Sequence, residues 1–231
     1  MYFDFQRMSI NNEQSCTEIN RGPDAVRTEA KRDAIVKVAS EVFRELGFEG
    51  ASMVEIAARL GGSRATLYGY FSSKEELFVA VIHGTAKNYF EPIFAALEQH
   101  GDDEDLERVL QGFGEKVLAG ACSQEAIQAR RAVIAESGRS DIGRLFFEAG
   151  PKKGLTQLAG FLELQMHKGR LRSADAAVAA RHLMALLDSE TVTPSLLGIQ
   201  GVSSRKELRE ATRRALQTFL RGYGPESLVA P

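Results

Sequence analysis

A short stretch of the 231-residue chain gathers hydroxyl, guanidinium and aromatic side chains with almost no carboxylates beside them. Hydroxyl groups and the arginine fork reach phosphate oxygens or base edges, and tyrosine rings pack on the sugar-phosphate backbone or on thymine methyl groups. A glycine lets the backbone approach closely, and an ammonium beside free helix amides suits a phosphate. The positions expected to offer this DNA-contact chemistry are Ser63, Arg64, Thr66, Tyr68, Gly69, Tyr70 and Lys74.

The residues before this stretch predict two helices that support it. Apolar residues recur at helical spacing over residues 32–46, and Gly47 is suited to the left-handed conformation that ends a helix. Ser52 and Glu55 form the pattern of a capping box, in which each side chain satisfies an unpaired backbone donor. A short second helix should therefore begin at Ser52 and end at the glycine pair 61–62.

A third helix and the start of a fourth follow the glycine pair. Ser63 can cap the third helix, and Leu67 and Phe71, four residues apart, should point inward. A second capping-box pattern, Ser73 with Glu76, opens a long fourth helix. Two short helices joined by a glycine turn and held against a first helix are the elements of a helix-turn-helix, whose second helix enters the DNA major groove.

Taken one at a time, these residues also allow a purely structural interpretation. Tyr68 and Tyr70 could be half-buried aromatic residues, and helix-turn-helix geometry also occurs without DNA. The combination favours DNA binding, because little acid accompanies the exposed side of the third helix. The alternative is a helical ligand-binding protein or co-regulator without specific DNA binding. An enzyme is not predicted, since the chain has none of the usual phosphate-binding glycine loops or nucleophile motifs.

The rest of the chain predicts helices and no sheet, so the expected fold class is all-α. Pro92 should kink or end the fourth helix, and the acidic loop at residues 101–105 should lead into the next one. Further helices are predicted over residues 124–136, 140–149, 152–168, 174–187 and 205–223. The last of these begins with a third capping-box pattern, Ser204 with Glu207.

The expected organisation has four parts, which differ in composition and in helical pattern. The hydrophobic share of 44% and the charged share of 26% are typical of a folded globular protein. The net charge of −2 excludes a protein that coats nucleic acid through bulk positive charge, so any contact must be local. The parts are a flexible arm (1–24), a helix-turn-helix DNA-binding domain (25–73), a helical effector-binding and dimerisation domain (74–224) and a tail (225–231).

The cellular location and the absence of a metal are predicted from the lack of signal, membrane-span and metal-binding patterns in the sequence. No secretory signal is recognisable at the start, and the apolar runs are far shorter than the roughly 20 residues that cross a bilayer, so a cytoplasmic protein without a membrane span is expected. Cys16 and Cys122 have no partner spacing for a disulfide framework or a zinc site, and the histidines have no metal-binding spacing. Neither a metal nor a cofactor is expected.

Residues 30–82 resemble the N-terminal DNA-binding domain of TetR-family transcriptional regulators. The runs that carry the resemblance, in the register of that family, are Thr66-Leu67-Tyr68, Tyr70-Phe71 and Ser73-Lys74-Glu75-Glu76-Leu77. Further along, residues 133–139 and 146–151 are similar to the AefR-like branch of the family. Two glycines depart from the pattern: Gly62 replaces a small apolar residue of the turn, and Gly69 occupies a position often filled by a larger side chain.

The resemblance implies an all-helical homodimer whose first three helices bind DNA and whose remaining helices form an effector pocket and the dimer interface. Carried over by position, the DNA contacts fall on the seven residues named at the outset, whereas Leu67 and Phe71 match structural positions. The resemblance further implies a repressor of transcription. A small, mainly apolar effector of unknown identity would release it from a palindromic operator on double-stranded DNA.

Two predicted helices, over residues 152–168 and 174–187, carry more apolar surface than one buried face requires. A second copy of the chain could cover the excess, and the resemblance implies that two such helices from each subunit form a four-helix interface. A large apolar core within one chain is the alternative. In a dimer, the two recognition helices would read half-sites about 34–36 Å apart, with the long fourth helix as the lever between effector and DNA.

Overall fold

The protein is described by a computed structural model over residues 23–99 and 104–225, and within these ranges it forms eleven helices and no β-strand. The predicted all-α class is confirmed. None of these helices combines the length and low charge that a bilayer-spanning helix requires. The helices are α1 (Pro23–Gly50), α2 (Met53–Leu60), α3 (Arg64–Tyr68), α4 (Lys74–Glu98), α5 (Leu106–Ala121), α6 (Gln124–Glu136), α7 (Ile142–Ala149), α8 (Pro151–His167), α9 (Ala176–Ser189), α10 (Val192–Leu196) and α11 (Arg205–Tyr223).

Most predicted helices of the second half are observed close to their expected bounds. The predictions over residues 124–136 and 205–223 match α6 and α11. The bounds of α7, α8 and α9 lie within two residues of the predicted ones. The short α10 has no counterpart among the predicted helices, because its five residues are too few to establish a helical period.

The fourth helix is longer than the sequence indicates. It continues through Pro92 to Glu98, so of the two outcomes predicted for the proline, a kink or an end, the end is wrong. Proline cannot donate a backbone hydrogen bond within the helix. Burial of Ile93, Phe94 and Leu97 against the following helices offsets that loss and holds the last turns in place.

Several expectations about the ends and the acidic loop fall largely outside the described residues. These are the arm over residues 1–24, the tail over 225–231 and most of the loop at 101–105. The two described residues of the arm, Pro23 and Asp24, already belong to α1.

Two hydrophobic clusters organise the described helices. The first cluster joins α1, α2, α3 and the beginning of α4, and Ile35, Ile56, Leu67 and Phe71 are fully buried in it. It extends past residue 73, since Ile142 of α7 is also fully buried there. The second cluster joins the last turns of α4 with α5, α8, α9 and α11. The DNA-contact candidates all lie on or beside helices of the first cluster.

Part of the apolar excess predicted for the helices over residues 152–168 and 174–187 is buried within the same chain, while Leu155, Met166, Met184 and Leu186 are only partly buried. Of the large apolar side chains on α8 and α9, Leu164 is the one exposed, at 48%. Packing of α4 on α8 and of α11 on α9 buries part of this surface within one chain, and the four-helix interface between two subunits stays a prediction. The buried members of the second cluster on α8 and α9 are Leu158, Phe161, Leu162, Ala179, Ala180, Leu183 and Leu187.

Replacing Leu67 by alanine should destabilise the first cluster, because this side chain is fully buried beneath α3. The free energy of unfolding should fall by about 2–5 kcal/mol, as measured by chemical denaturation followed by circular dichroism. Val54→Ala is the matched control, since Val54 is 56% exposed and its loss should change stability by less than about 0.5 kcal/mol. Equal stability of the two variants would contradict the inward position of Leu67.

Candidate nucleic-acid interface

Two glycines in the left-handed region set the directions of α1 and α2. Gly47 has a φ of 69°, which breaks α1, and Gly61 has a φ of 71° at the end of α2. A residue with a Cβ is strained in this conformation, whereas glycine is not. Gly47 has the positive φ predicted for it, but its ψ of 176° is extended, whereas Gly61, with a ψ of 22°, has the left-handed helical conformation at the turn between α2 and α3.

Serine side chains begin the three helices around this turn. The hydroxyl oxygens of Ser52, Ser63 and Ser73 each accept a hydrogen bond of 3.1 Å from the backbone amide three residues further on. These bonds satisfy amides that have no partner inside the helix. The predicted starts of α2, α3 and α4 are therefore confirmed.

The glutamates of the first two predicted capping boxes bind elsewhere. The carboxylate of Glu55 accepts a hydrogen bond from Arg59, one turn further along α2. The carboxylate of Glu76 accepts from the amide and the hydroxyl of Ser72, at 2.7 Å each. Each of these boxes is thus only half formed, whereas the complete box predicted at the start of α11 is confirmed.

Helix α3 presents one side to the core and the other outward. Leu67 and Phe71 are fully buried, so both inward assignments are confirmed. Tyr68 is 51% exposed, a large fraction for an aromatic side chain. Of the predicted contact residues in this segment, Ser63, Arg64, Tyr68 and Gly69 are exposed, and Thr66 and Tyr70 are half-buried.

The polar groups of α3 differ in how firmly they are held. The hydroxyl oxygens of Ser63 and Thr66 lie 3.0 Å apart and support the first turn of the helix. Tyr70 packs against the first cluster. The guanidinium of Arg64 forms no ion pair with any described residue, so its donors remain directed to the surface. Arg64 and Tyr68 are thus the side chains best placed to meet a ligand.

Two acidic residues beside the helix-turn-helix, Glu45 and Glu55, are bound by Arg59. Arg59 Nη1 lies 2.5 Å from Glu45 Oε2, and Arg59 Nε lies 2.8 Å from Glu55 Oε1. The hydrogen bonds to Glu45 and Glu55 raise the pKa of the Arg59 guanidinium. Because these carboxylates are neutralised locally, they oppose an approaching phosphate less than free carboxylates would.

Lys74 is half-buried, and its ammonium binds backbone carbonyls of the same chain. Its Nζ donates hydrogen bonds to the carbonyl oxygens of Phe48, at 2.9 Å, and Ala51, at 3.3 Å. The same ammonium lies 4.2 Å from the centre of the Phe48 ring. That ring is part of an aromatic triad, with 4.9 Å between the centres of Phe43 and Phe78 and 4.8 Å between those of Phe48 and Phe78. Lys74 therefore takes part in the packing between α1 and α4.

Sequence reasoning missed two supporting cations. Arg59 connects α2 to α1 through Glu45, and the guanidinium of Arg32 lies 4.8 Å from the centre of the Phe71 ring. The four-residue spacing of Glu55 and Arg59 could have indicated a bond within α2. No local pattern indicates the contact with Glu45, because that residue lies 14 positions away along the chain.

The cysteine of the second cluster has no catalytic character. Cys122 is buried and unpaired, and burial raises the pKa of its thiol. A raised pKa keeps a thiol protonated and weakly nucleophilic at neutral pH. We therefore assign Cys122 to packing.

Two family models match successive parts of the chain. The model for bacterial regulatory proteins of the tetR family matches residues 35–81, and the model for the C-terminal domain of AefR-like transcriptional repressors matches residues 108–225. A solved structure, described as a TetR-family transcriptional regulator from Mesorhizobium loti MAFF303099, is similar with a TM-score of 0.73 and 28% identity, over 86% of this chain and 98% of that one. The flavonoid-responsive regulator FrrA has a TM-score of 0.65 and 29% identity, over 85% of this chain and 98% of its own.

Curated relatives match over shorter segments. The transcriptional activator FasR of Mycolicibacterium smegmatis is 37% identical over 95 residues, 41% of this chain and 43% of FasR. The regulator RutR of Escherichia coli K12 is 36% identical over 69 residues, 30% of this chain and 32% of RutR. The chain thus matches less than half of the length of either relative.

Both relatives are helix-turn-helix regulators rather than enzymes, and the AefR-like model alone covers just over half of the chain. The chain therefore belongs to the TetR family of DNA-binding transcriptional regulators and carries an AefR-like C-terminal domain.

Proposed function

We propose that the chain reads specific sequences of double-stranded DNA through α3. The observation that carries this proposal is the outward side of α3, where Arg64 and Tyr68 project from a helix that contains no acidic residue and that the first cluster anchors. The major groove admits an α-helix, and arginine is the side chain that most often reads a guanine there. The proposed contacts are Ser63, Arg64, Thr66, Tyr68, Gly69 and Tyr70, with Lys74 as a separate case because its ammonium binds backbone carbonyls.

The active form is proposed to be a homodimer on a palindromic operator. Membership of a family whose regulators typically form dimers supports this, and so does an apolar surface between α10 and α11. Leu197, Ile199 and Val202 are 70%, 78% and 75% exposed there. Arg131 of α6 holds the start of this segment by donating hydrogen bonds to two carbonyls of α10. Large apolar side chains held outward mark an interaction surface, and a second copy of the chain is the proposed occupant.

The regulator is proposed to be a repressor that a small, mainly apolar effector releases. The AefR-like model that matches residues 108–225 describes a repressor domain, which supports repression rather than activation of transcription. FasR is named an activator, but the match reaches only 43% of its length. FrrA is named flavonoid-responsive, and its similarity over most of both chains supports an aromatic or otherwise apolar effector.

Helices α6 and α7 offer a route from an effector to α3. Val133 of α6 and Ile142 of α7 are buried in the first cluster beside α1 and α4. Arg139, between those helices, has its Nη2 3.2 Å from Glu49 Oε1 and 2.5 Å from Glu136 Oε1. A shift of α6 and α7 would therefore move the helices on which α3 rests and change the separation of the two recognition helices in a dimer.

Sequence-specific DNA binding is tested by a selection experiment. The purified full-length protein is incubated with a pool of random DNA duplexes, and the bound duplexes are recovered and sequenced. A palindrome with half-site centres about 10 base pairs apart should be enriched. Arg64→Ala should lower the affinity for that operator about 10-fold or more, because a good arginine contact to a base is worth about 1–3 kcal/mol. Arg108→Ala is the matched control on the exposed side of α5 and should bind like the unchanged protein.

Two results would contradict this proposal. Equal affinities of the Arg64 and Arg108 variants would remove Arg64 from the contact set. Retention of DNA that vanishes with modest salt, without an enriched motif, would indicate phosphate attraction alone and would favour a ligand-binding protein or co-regulator.

The dimer surface is tested by placing a charge on each candidate patch. Ile199→Asp should convert the dimer to a monomer in size-exclusion chromatography with light scattering over a range of concentrations, because it buries a carboxylate between the two copies. Leu164→Asp changes the exposed apolar residue of α8 and should leave the dimer intact. A dimer that persists in Ile199→Asp and dissociates in Leu164→Asp would place the interface on α8 instead.

Repression is tested by transcription in vitro from a promoter that overlaps the selected operator. The protein should lower transcript yield, and an apolar effector should restore it while releasing labelled operator in a fluorescence anisotropy titration. Flavonoids and fatty acids are the two probe sets, with a small polar acid such as acetate as the control. A rise in transcription on adding protein alone would identify an activator.

A further inference from the structure

One side chain joins the two chain positions that flank the helix-turn-helix segment, residues 52–73. Lys74 is the first residue of α4, directly after that segment, and Phe48 and Ala51 lie just before it. The ammonium of Lys74 donates to the carbonyls of both, which are 26 and 23 residues away along the chain. The segment that contains α2, the glycine turn and α3 is therefore closed at its base by these hydrogen bonds.

The carbonyls that Lys74 binds are well suited to a cation. They lie where α1 ends after the break at Gly47, and carbonyls at the end of a helix lack partners and carry partial negative charge. Hydrogen bonds from a charged donor are stronger than neutral ones, and the face of the Phe48 ring adds a cation-π contact at 4.2 Å. Phe78 of α4 packs against the same ring, so both ends of the link are held rigidly.

We infer that Lys74 is a positioning residue that holds α3 at a fixed angle to α1 and α4, and that it does not bind a DNA phosphate. Turning the ammonium towards DNA would take this donor from the carbonyls of Phe48 and Ala51. The inference rests on the proposed DNA reading by α3, and it changes the role that the family resemblance assigns to this lysine.

The test compares full-length Lys74→Met with the unchanged protein. Methionine keeps an apolar stem of similar length but can neither donate a hydrogen bond nor carry charge. Lys37→Met is the matched control, because Lys37 is an exposed lysine of α1. Three quantities are measured: the thermal midpoint without DNA, the ratio of affinities for the selected operator and a scrambled duplex, and the slope of log affinity against log salt. Binding is measured well below the thermal midpoint.

Lys74→Met should lower the thermal midpoint by about 2–4 °C, whereas Lys37→Met should not. The operator-to-scrambled affinity ratio should fall about 10-fold, because a folded but misdirected α3 loses base contacts while phosphate attraction remains. The salt slope should stay unchanged. Should Lys74→Met fail to fold, Lys74→Gln, which keeps a neutral donor, provides the same comparison.

A salt slope that is less steep by about 0.9, with or without a lower midpoint, would identify a phosphate contact and overturn the inference. A lower midpoint with an unchanged affinity ratio would assign Lys74 to stability alone and would also overturn it. Unchanged values of the thermal midpoint, the affinity ratio and the salt slope would overturn the inference as well. If the unchanged protein enriches no DNA motif, the proposed function fails, whereas an unchanged midpoint for Lys74→Met shows separately that the link itself is unimportant.

Discussion

Burial of Leu67 and Phe71 is the interaction on which the rest of the helix-turn-helix depends. Helix α3 has only five residues, and a helix of that length is not stable by itself in water. Its direction must therefore come from the two fully buried side chains beneath it and from the helices that receive them. The serine caps and the left-handed Gly61 place α3 over that core, so the exposed side chains acquire a fixed geometry only through the buried ones.

The same cluster joins the helices of the helix-turn-helix to the remainder of the chain. Val133 and Ile142 belong to α6 and α7, yet they are buried with α1 and α4. Packed interiors deform little and tend to move between discrete arrangements. A change in the second half of the molecule can therefore reach α3 through α1 and α4, whose buried residues share the first cluster with Val133 and Ile142.

Local charge arrangement explains how a chain with a net charge of −2 can present a surface suited to DNA. Glu45 and Glu55 are bound by Arg59, and Glu76 is folded back onto Ser72. The guanidinium of Arg64 is left directed outward. The affinity of such a surface for DNA depends on the positions of a few cations and hydrogen-bond donors, because no large excess of positive charge is available.

The sequence by itself determined the local features: the all-α class, the serine caps, the glycine breaks and the inward spacing of Leu67 and Phe71. Each of these depends on residues within about one helical turn of one another, which periodicity and capping patterns describe well. Tertiary structure alone decided that α4 continues through Pro92, that α4 and α11 cover the apolar sides of α8 and α9, and that Lys74 points inward to Phe48. These outcomes depend on contacts between residues far apart along the chain, whose partners no local spacing specifies.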